Sequence, residues 1–309
     1  LPEHVRVLLD FRKGFAGLRE GFEALGHEVS EDAEGALTGV GLCVADLTDC
    51  ARRLRRTLAL KRRLAAQGAV FIALDRDAPW HRGVHGARLA ALAWLKPFHG
   101  YATHSMQRAG RFAAQSLYCP NAARESVYHV TAAELEQMRD PAWFRWDISF
   151  IGNLDAARYP EHALRAAFVR ALGARLAPLG LRVLFSDSAG LTQAEQVEII
   201  KRSHINLSTV AACDAGDEPS WGLPERCYGV PACGGFLISD RRRHAADDFA
   251  ADEWTDYGDL EECAARIKEF LAQPERARAI AERVHERVQR EHLYRHRASR
   301  LLDFAAHAR

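Results

Sequence analysis

The sequence predicts an α/β protein made of two doubly wound, mostly parallel sheets, one in each half of the chain. Three observations predict it. The 309 residues exceed what a single core usually holds, so two domains are expected. Short apolar runs alternate with amphipathic segments, the pattern of strands joined by crossover helices. The alternation lapses over residues 121–146 and restarts at DISFIGN, residues 147–153.

In the first half, residues 5–11 (VRVLLDF) read as a strand. Phe15, Leu18, Phe22 and Leu25 follow at helical spacing, Gly26 closes that helix, and a second strand begins. LCVADLTD (42–49) is a strand, and 51–68 is a basic helix ending in glycine. AVFIALDRD (69–77) is almost continuously apolar, as a strand buried on both faces should be. LAALAWL reads as helix, GYATHS as strand and RAGRFAAQSL as helix. The mixed stretch 121–146, broken at Asp140-Pro141, reads as the connection between domains 1–135 and 136–309. Beyond it, DISFIGN, LRVLFSD, HINLST and GFLISD are strands, and residues 274–306 are long helical material. Both halves are Rossmann-like, so ligands are expected beyond the carboxyl ends of strands and in a cleft between the halves. No Gly-x-Gly-x-x-Gly follows a predicted strand and no phosphate-loop motif occurs. That argues against a nicotinamide-cofactor enzyme and a P-loop NTPase.

Apolar residues at 48% and charged residues at 27% describe a soluble globular chain rather than a disordered one. No apolar run approaches the ~20 residues of a spanning helix. The first residues, LPEHVRVLLDF, read as a strand rather than a leader. Seven cysteines, an odd number without a Cys-x-x-Cys pair, argue against a disulfide framework or structural zinc and fit a reducing cytoplasm. Net charge is only +1, yet residues 50–112 hold 13 Lys/Arg against two acids, Asp75 and Asp77, a net of +11. Such a stretch is either a solvated basic face or a surface for an anionic partner: lipid head groups, phosphorylated glycan or nucleic acid.

The densest signal is WGLPERCYGVPACGGFLISD, residues 221–240, where Glu225-Arg226 precede a small-residue helix, Gly234-Gly235 and a strand. Around it, in order, stand ISFIGN (148–153), Arg158, HINLST (204–209), Phe249, WTDYGDLEE (254–262) and QREHLYRHRASRLLDF. Over residues 147–304 these pieces resemble the nucleotide-sugar half of GT-B glycosyltransferases, with the nearest likeness to the CgeB-like, glycosyl transferase family 1 type of domain. GFEALGHEV, DAPWHRG and YCPNAA resemble the family more loosely. The resemblance implies two Rossmann-like domains facing across a cleft. It implies an enzyme that passes a sugar from a nucleotide donor, UDP-linked foremost, to a hydroxyl of a larger acceptor, with no metal and no permanently bound cofactor.

The implied donor contacts are Gly152, Asn153, Arg158, Trp221, Glu225, Arg226, Tyr228, Gly229, Gly234 and Gly235. Free N–H groups and the dipole of the small-residue helix suit a diphosphate, and Arg226 adds a fixed charge. Each glycine taken singly reads as a plain turn. Gly229 stands where the family has a ribose-holding carboxylate, and Trp221 where the classical pair has its other glutamate. Either Glu225, Asp217 or Glu218 takes the ribose, or the donor is not a standard UDP- or GDP-sugar, or the chain binds without catalysis. Trp221 either stacks on a base or packs in the core. On the acceptor side, Asp77 and His81 are the general-base candidates, and Arg82, His85, Arg52 and Arg55 the candidates for acceptor charge. Asp75 reads as a helix cap, and a retaining enzyme needs no base. The expected setting is bacterial surface or lipid-linked glycan assembly, in the cytoplasm with peripheral contact to the inner face of the membrane. The rival readings are a transferase acting on modified DNA bases and a non-catalytic nucleotide-sugar sensor.

Overall fold

A computed structural model describes residues 4–76, 87–157, 160–210 and 221–308. The chain divides into two compact units, Leu1–Ala122 with Tyr294–Arg309, and Ala123–Leu293.

In the first unit β1 (Arg6–Asp10), β2 (Glu28–Ser30), β3 (Val40–Asp46), β4 (Val70–Asp75), β5 (Gly100–Thr103) and β6 (Gln115–Tyr118) form a parallel sheet in the order β2-β1-β3-β4-β5-β6. Every residue of β4 is buried, which is why VFIALD shows no polar alternation. The helices are α1 (Ala16–Ala24), α2 (Leu47–Arg52), α3 (Leu54–Ala65) and α4 (Ala87–Leu95). The expected single basic helix is two, because Arg53 leaves the helical region at φ −119°, ψ 44°. Asp46 caps α2 by accepting from the Asp49 N–H at 2.8 Å. RAGRFAAQSL is not a helix. Ala109–Arg111 makes one tight turn, and Gln115–Tyr118 pairs with Gly100–Thr103 as an edge strand. Ladder pairing there outweighs the helix propensity of Ala, Arg and Gln.

The second unit carries β7 (Trp146–Gly152), β8 (Val183–Asp187), β9 (Ser203–Ser208), β10 (Leu237–Asp240) and β11 (Asp256–Tyr257), all parallel, in the order β11-β10-β9-β7-β8. Its helices are α5 (Ala132–Gln137), α6 (Pro160–Leu176), α7 (Gln193–Lys201), α8 (Arg226–Ala232), α9 (Ala245–Asp248), α10 (Leu260–Leu271) and α11 (Pro274–Glu291). The direction of strand progression reverses between β7 and β9, which makes their carboxyl ends the switch point of this sheet.

The units part at 122/123 rather than at 135/136, and the last helix, α12 (Tyr294–His307), belongs to the first unit rather than the second. Packing explains this. A Cβ at Gly17 of α1 would lie 2.5 Å from the Tyr294 ring, so glycine admits that ring, which also meets Phe15 edge-on at 5.3 Å. Arg297, fully buried, donates to the carbonyls of Pro120 at 3.1 Å and Asn121 at 3.0 Å. It thereby clamps the end of the first unit's main segment. Arg297→Met should leave those carbonyls without their donor and lower stability by about 2–3 kcal/mol, read from urea melts.

Candidate functional site

At the switch point lies a cavity of about 250 Å³. Its floor is the polar end of two neighbouring strands. Ser149 and Asn206 are register partners, and the Ser149 hydroxyl donates to Asn206 Oδ1 at 3.1 Å. The Asn206 amide donates to the carbonyls of Ile200 and Phe236 at 3.2 and 3.3 Å, which fixes its orientation. Ser208 and Thr209 continue the polar lining.

Arg226, the first residue of α8, enters this cavity beside β7. It does so because residue 152 is glycine. A Cβ there would lie 2.9 Å from Arg226 Nη2 and 2.7 Å from Phe150 Cζ. The guanidinium lies 4.9 Å from the Phe150 ring centroid. Among the described residues it forms no hydrogen bond and no ion pair. Burial, and next the Arg165 cation, push it down to about 10. At neutral pH it is therefore still charged, and it has no ion-pair partner among the described residues.

Arg165 of α6 also lines the cavity. Its Nε donates to the Val210 carbonyl at 2.7 Å and its Nη1 to the Asn153 carbonyl at 2.8 Å, tying the segments that leave β7 and β9. Val210 sits at φ +37°, a strained conformation for a β-branched residue, with its N–H on Asp240 Oδ2 at 3.1 Å.

Glu225 is the carboxylate at the cavity among the described residues. The Tyr128 side chain hydrogen-bonds to it, and burial followed by the Glu225 charge pushes the phenol up, so it stays protonated and donates. Tyr128 also explains Gly229. A Cβ there would lie 2.7 Å from the phenol ring. The space next to residue 229 is occupied by tyrosine.

The remaining sequence candidates fall in several places. Asn153 lends its carbonyl to Arg165, and its side chain accepts from the Asp155 N–H at 2.8 Å. Gly234, at φ +73°, closes α8, and Gly235 lets the chain pass Asn206, whose Nδ2 would meet a Cβ at 3.0 Å. Both lie behind the cavity. Tyr228, expected at the donor, is instead wholly buried and donates to Asp248 Oδ2 at 2.6 Å, because its side of α8 faces the core. Trp221 does not line the cavity: its ring tilts on His244 at 5.6 Å and takes the Arg243 guanidinium at 4.9 Å. Two of the N–H groups expected to be free at the helix start are taken by carbonyls just before it. Cys227 donates to Pro224 at 2.9 Å and Tyr228 to Glu225 at 3.0 Å. Positive charge at this end comes from the arginines. Arg52 and Arg55 are exposed on α2 and α3 of the first unit. Asp77, His81, Arg82, His85 and Arg158, with Asp217 and Glu218, lie outside the described residues. Asp75 does not lie free to cap a helix; it is buried and accepts from the Tyr101 hydroxyl at 2.9 Å.

Sequence reading missed Arg165, Tyr128, Ser149 and Asn206. Arg165 had a signal. It shares the spacing of Val169, Leu172 and Leu176, all buried, so a charge sits on the apolar stripe of α6. Asn206 likewise interrupts a buried strand. Tyr128 had none, since its role depends on the glycine it covers.

A desolvated cation without a partner destabilises the fold that holds it. Arg226→Met should raise the ligand-free protein's stability by about 1–3 kcal/mol at neutral pH, where the charge is fully present, the cavity's opening to water limiting the gain. Denaturant melts of both forms check this.

The second unit is where the likeness to known proteins concentrates. A family model described as "Glycosyl transferase-like" matches residues 132–303, more than half of the chain. A search of curated proteins finds no match. Among solved structures, sucrose-phosphate synthase from Thermosynechococcus elongatus is 14% identical at a TM-score of 0.62, over 98% of each chain. Anabaena Alr3699/HepE in complex with UDP-glucose is 13% identical at 0.62, over 98% of this chain and 100% of that one. A glycosyltransferase from Rickettsia africae ESF-5 is 9% identical at 0.57, over 99% and 98%. The fold is the two-domain α/β GT-B fold, and the chain belongs to the glycosyl transferase-like family.

Proposed function

We propose that the protein transfers a sugar from a nucleotide-sugar donor to a hydroxyl of a larger acceptor, and that the β7–β9 cavity holds the donor. The observation that carries this reading is Arg226, a cation at the switch point with no carboxylate partner among the described residues. A diphosphate supplies the missing counter-charge through charge-assisted hydrogen bonds. When the bond between sugar and diphosphate breaks, negative charge grows on the leaving oxygen. A guanidinium already fixed beside it stabilises that charge without reorganising, with no metal required. Arg165 adds to the same field. Glu225, oriented by Tyr128, accepts from the ribose hydroxyls and takes over from the carboxylate that Gly229 lacks. UDP is the preferred nucleotide, a choice supported by the complexes of HepE with UDP and with UDP-glucose. The acceptor is an anionic or lipid-linked glycan of bacterial surface assembly, met by the cations of the first unit, with Asp77 or His81 as base. The setting is the cytoplasm.

Calorimetric titration with UDP and UDP-glucose tests the donor half of this. Arg226→Met should weaken both by about 1.5–3 kcal/mol with the fold intact. Unchanged affinity would remove Arg226 from the site. Glu225→Gln should weaken UDP while leaving pyrophosphate binding as it was, since its partner is the ribose. Slow hydrolysis of the bound donor should persist in EDTA; turnover that EDTA abolishes and Mg²⁺ or Mn²⁺ restores would contradict the metal-free reading, and binding with no turnover would favour a sensor.

A further inference from the structure

We infer that α4 and the turn after β5 form a docking surface for an anionic lipid bilayer. The inference stands apart from the donor chemistry, because binding to lipid needs no catalysis.

α4 has the sequence ARLAALAWL, and Leu92 is its one buried residue. Trp94 is 83% exposed, far more than any other large apolar side chain described, and Leu95 and Met106 are also exposed. Lys96 Nζ donates to the Gly110 carbonyl at 3.1 Å, which ties the end of α4 to the turn Ala109–Arg111, and the Ala109 N–H returns to the Met106 carbonyl at 3.2 Å. At its other end, Arg88 Nη1 donates to the Arg52 carbonyl at 2.9 Å, joining α4 to α2.

Along the sequence, the charge flanking these apolar groups has one sign. Residues 87–112 contain Arg88, Lys96, Arg108 and Arg111 and no acid. Arg88, Lys96 and Arg108 are exposed. The neighbouring helix α3 differs. Its Arg56 is held by Asp10 at 2.7 Å and by Glu34, and its Arg63 by the carbonyls of Ala33, Glu34 and Gly35. Those arginines serve the fold, whereas the cations beside Trp94 have no such acid beside them in the sequence. Lys96 and Arg108 also take left-handed conformations, φ +42° and +54°, so the surface keeps strained backbone at two of its cations.

An exposed tryptophan with aliphatic neighbours and a cationic rim suits the boundary between head groups and acyl chains. The one-signed charge disfavours a second copy of the same surface and favours an anionic partner. A nucleic acid would match the charge but leave Leu95 and Met106 without an apolar environment. A bilayer matches both.

The test is flotation of the whole protein with vesicles of phosphatidylcholine alone or mixed with phosphatidylglycerol. The wild type should float with the mixed vesicles, less so as salt rises. Trp94→Ala, on a side chain the fold does not bury, should weaken this about tenfold while melting and UDP affinity stay unchanged. Lys96→Gln with Arg108→Gln should erase the preference for the anionic lipid. Wild-type protein that ignores mixed vesicles, or Trp94→Ala protein that floats equally well, would overturn the proposal. So would a dimer that depends on Trp94, or duplex DNA captured through these residues in preference to lipid.

Discussion

A guanidinium with no carboxylate ion pair among the described residues, set at the reversal point of a parallel sheet, is the constraint around which the second unit is arranged. Its meaning is clearest beside a neighbour. Arg242 is buried where Arg226 is half-buried, and Asp240 takes its Nη2 at 2.8 Å and its Nε at 3.1 Å, while the Gly222 carbonyl takes its Nη1 at 2.8 Å. That arginine is part of the scaffold and fixes the approach to α8. Arg226 has no such bonds among the described residues: it has an aromatic face at one side, a second cation within range and a cavity in front. Keeping it there costs free energy that the Phe150 ring and the charge of Asp240 offset only in part. An anionic ligand would return it.

The parts around the arginine follow from that placement. The switch point provides a gap between crossovers, as open parallel sheets do. Gly152 leaves room for the guanidinium against β7. Arg165 joins the two strand ends by their carbonyls, and with Asp240 it holds Val210 in a strained conformation at the rim. The space beside Gly229 is filled by the ring of Tyr128, which in turn holds Glu225. Gly229, Tyr128 and Glu225 thus form one arrangement, drawn from positions far apart in the chain.

Much of this was legible in the sequence, for stated physical reasons. Strands buried on both faces, such as VFIALD, announce themselves by the absence of alternation, and LPERCYGVPACGG placed Arg226 and Glu225 at the head of a helix before a buried strand. What escaped depends on tertiary context. Gln115–Tyr118 became an edge strand because β5 offers it a ladder. Tyr228 and Trp221 sit in the right stretch, yet α8 turns one into the core and Arg243 covers the other. The unit boundary moved because α12 docks on α1 through Gly17, a contact across almost the whole chain. Arg165 could have been found by asking why a charge stands on an apolar stripe.

The central claim is that Arg226 is held unpaired for a diphosphate. A crystal structure of the protein with UDP bound tests it most directly. The account predicts the diphosphate at the carboxyl ends of β7 and β9, with Arg226 nitrogens about 2.7–3.0 Å from its oxygens and the ribose hydroxyls on Glu225. UDP bound elsewhere, with Arg226 still facing an empty cavity or paired to a carboxylate of the protein itself, would contradict it.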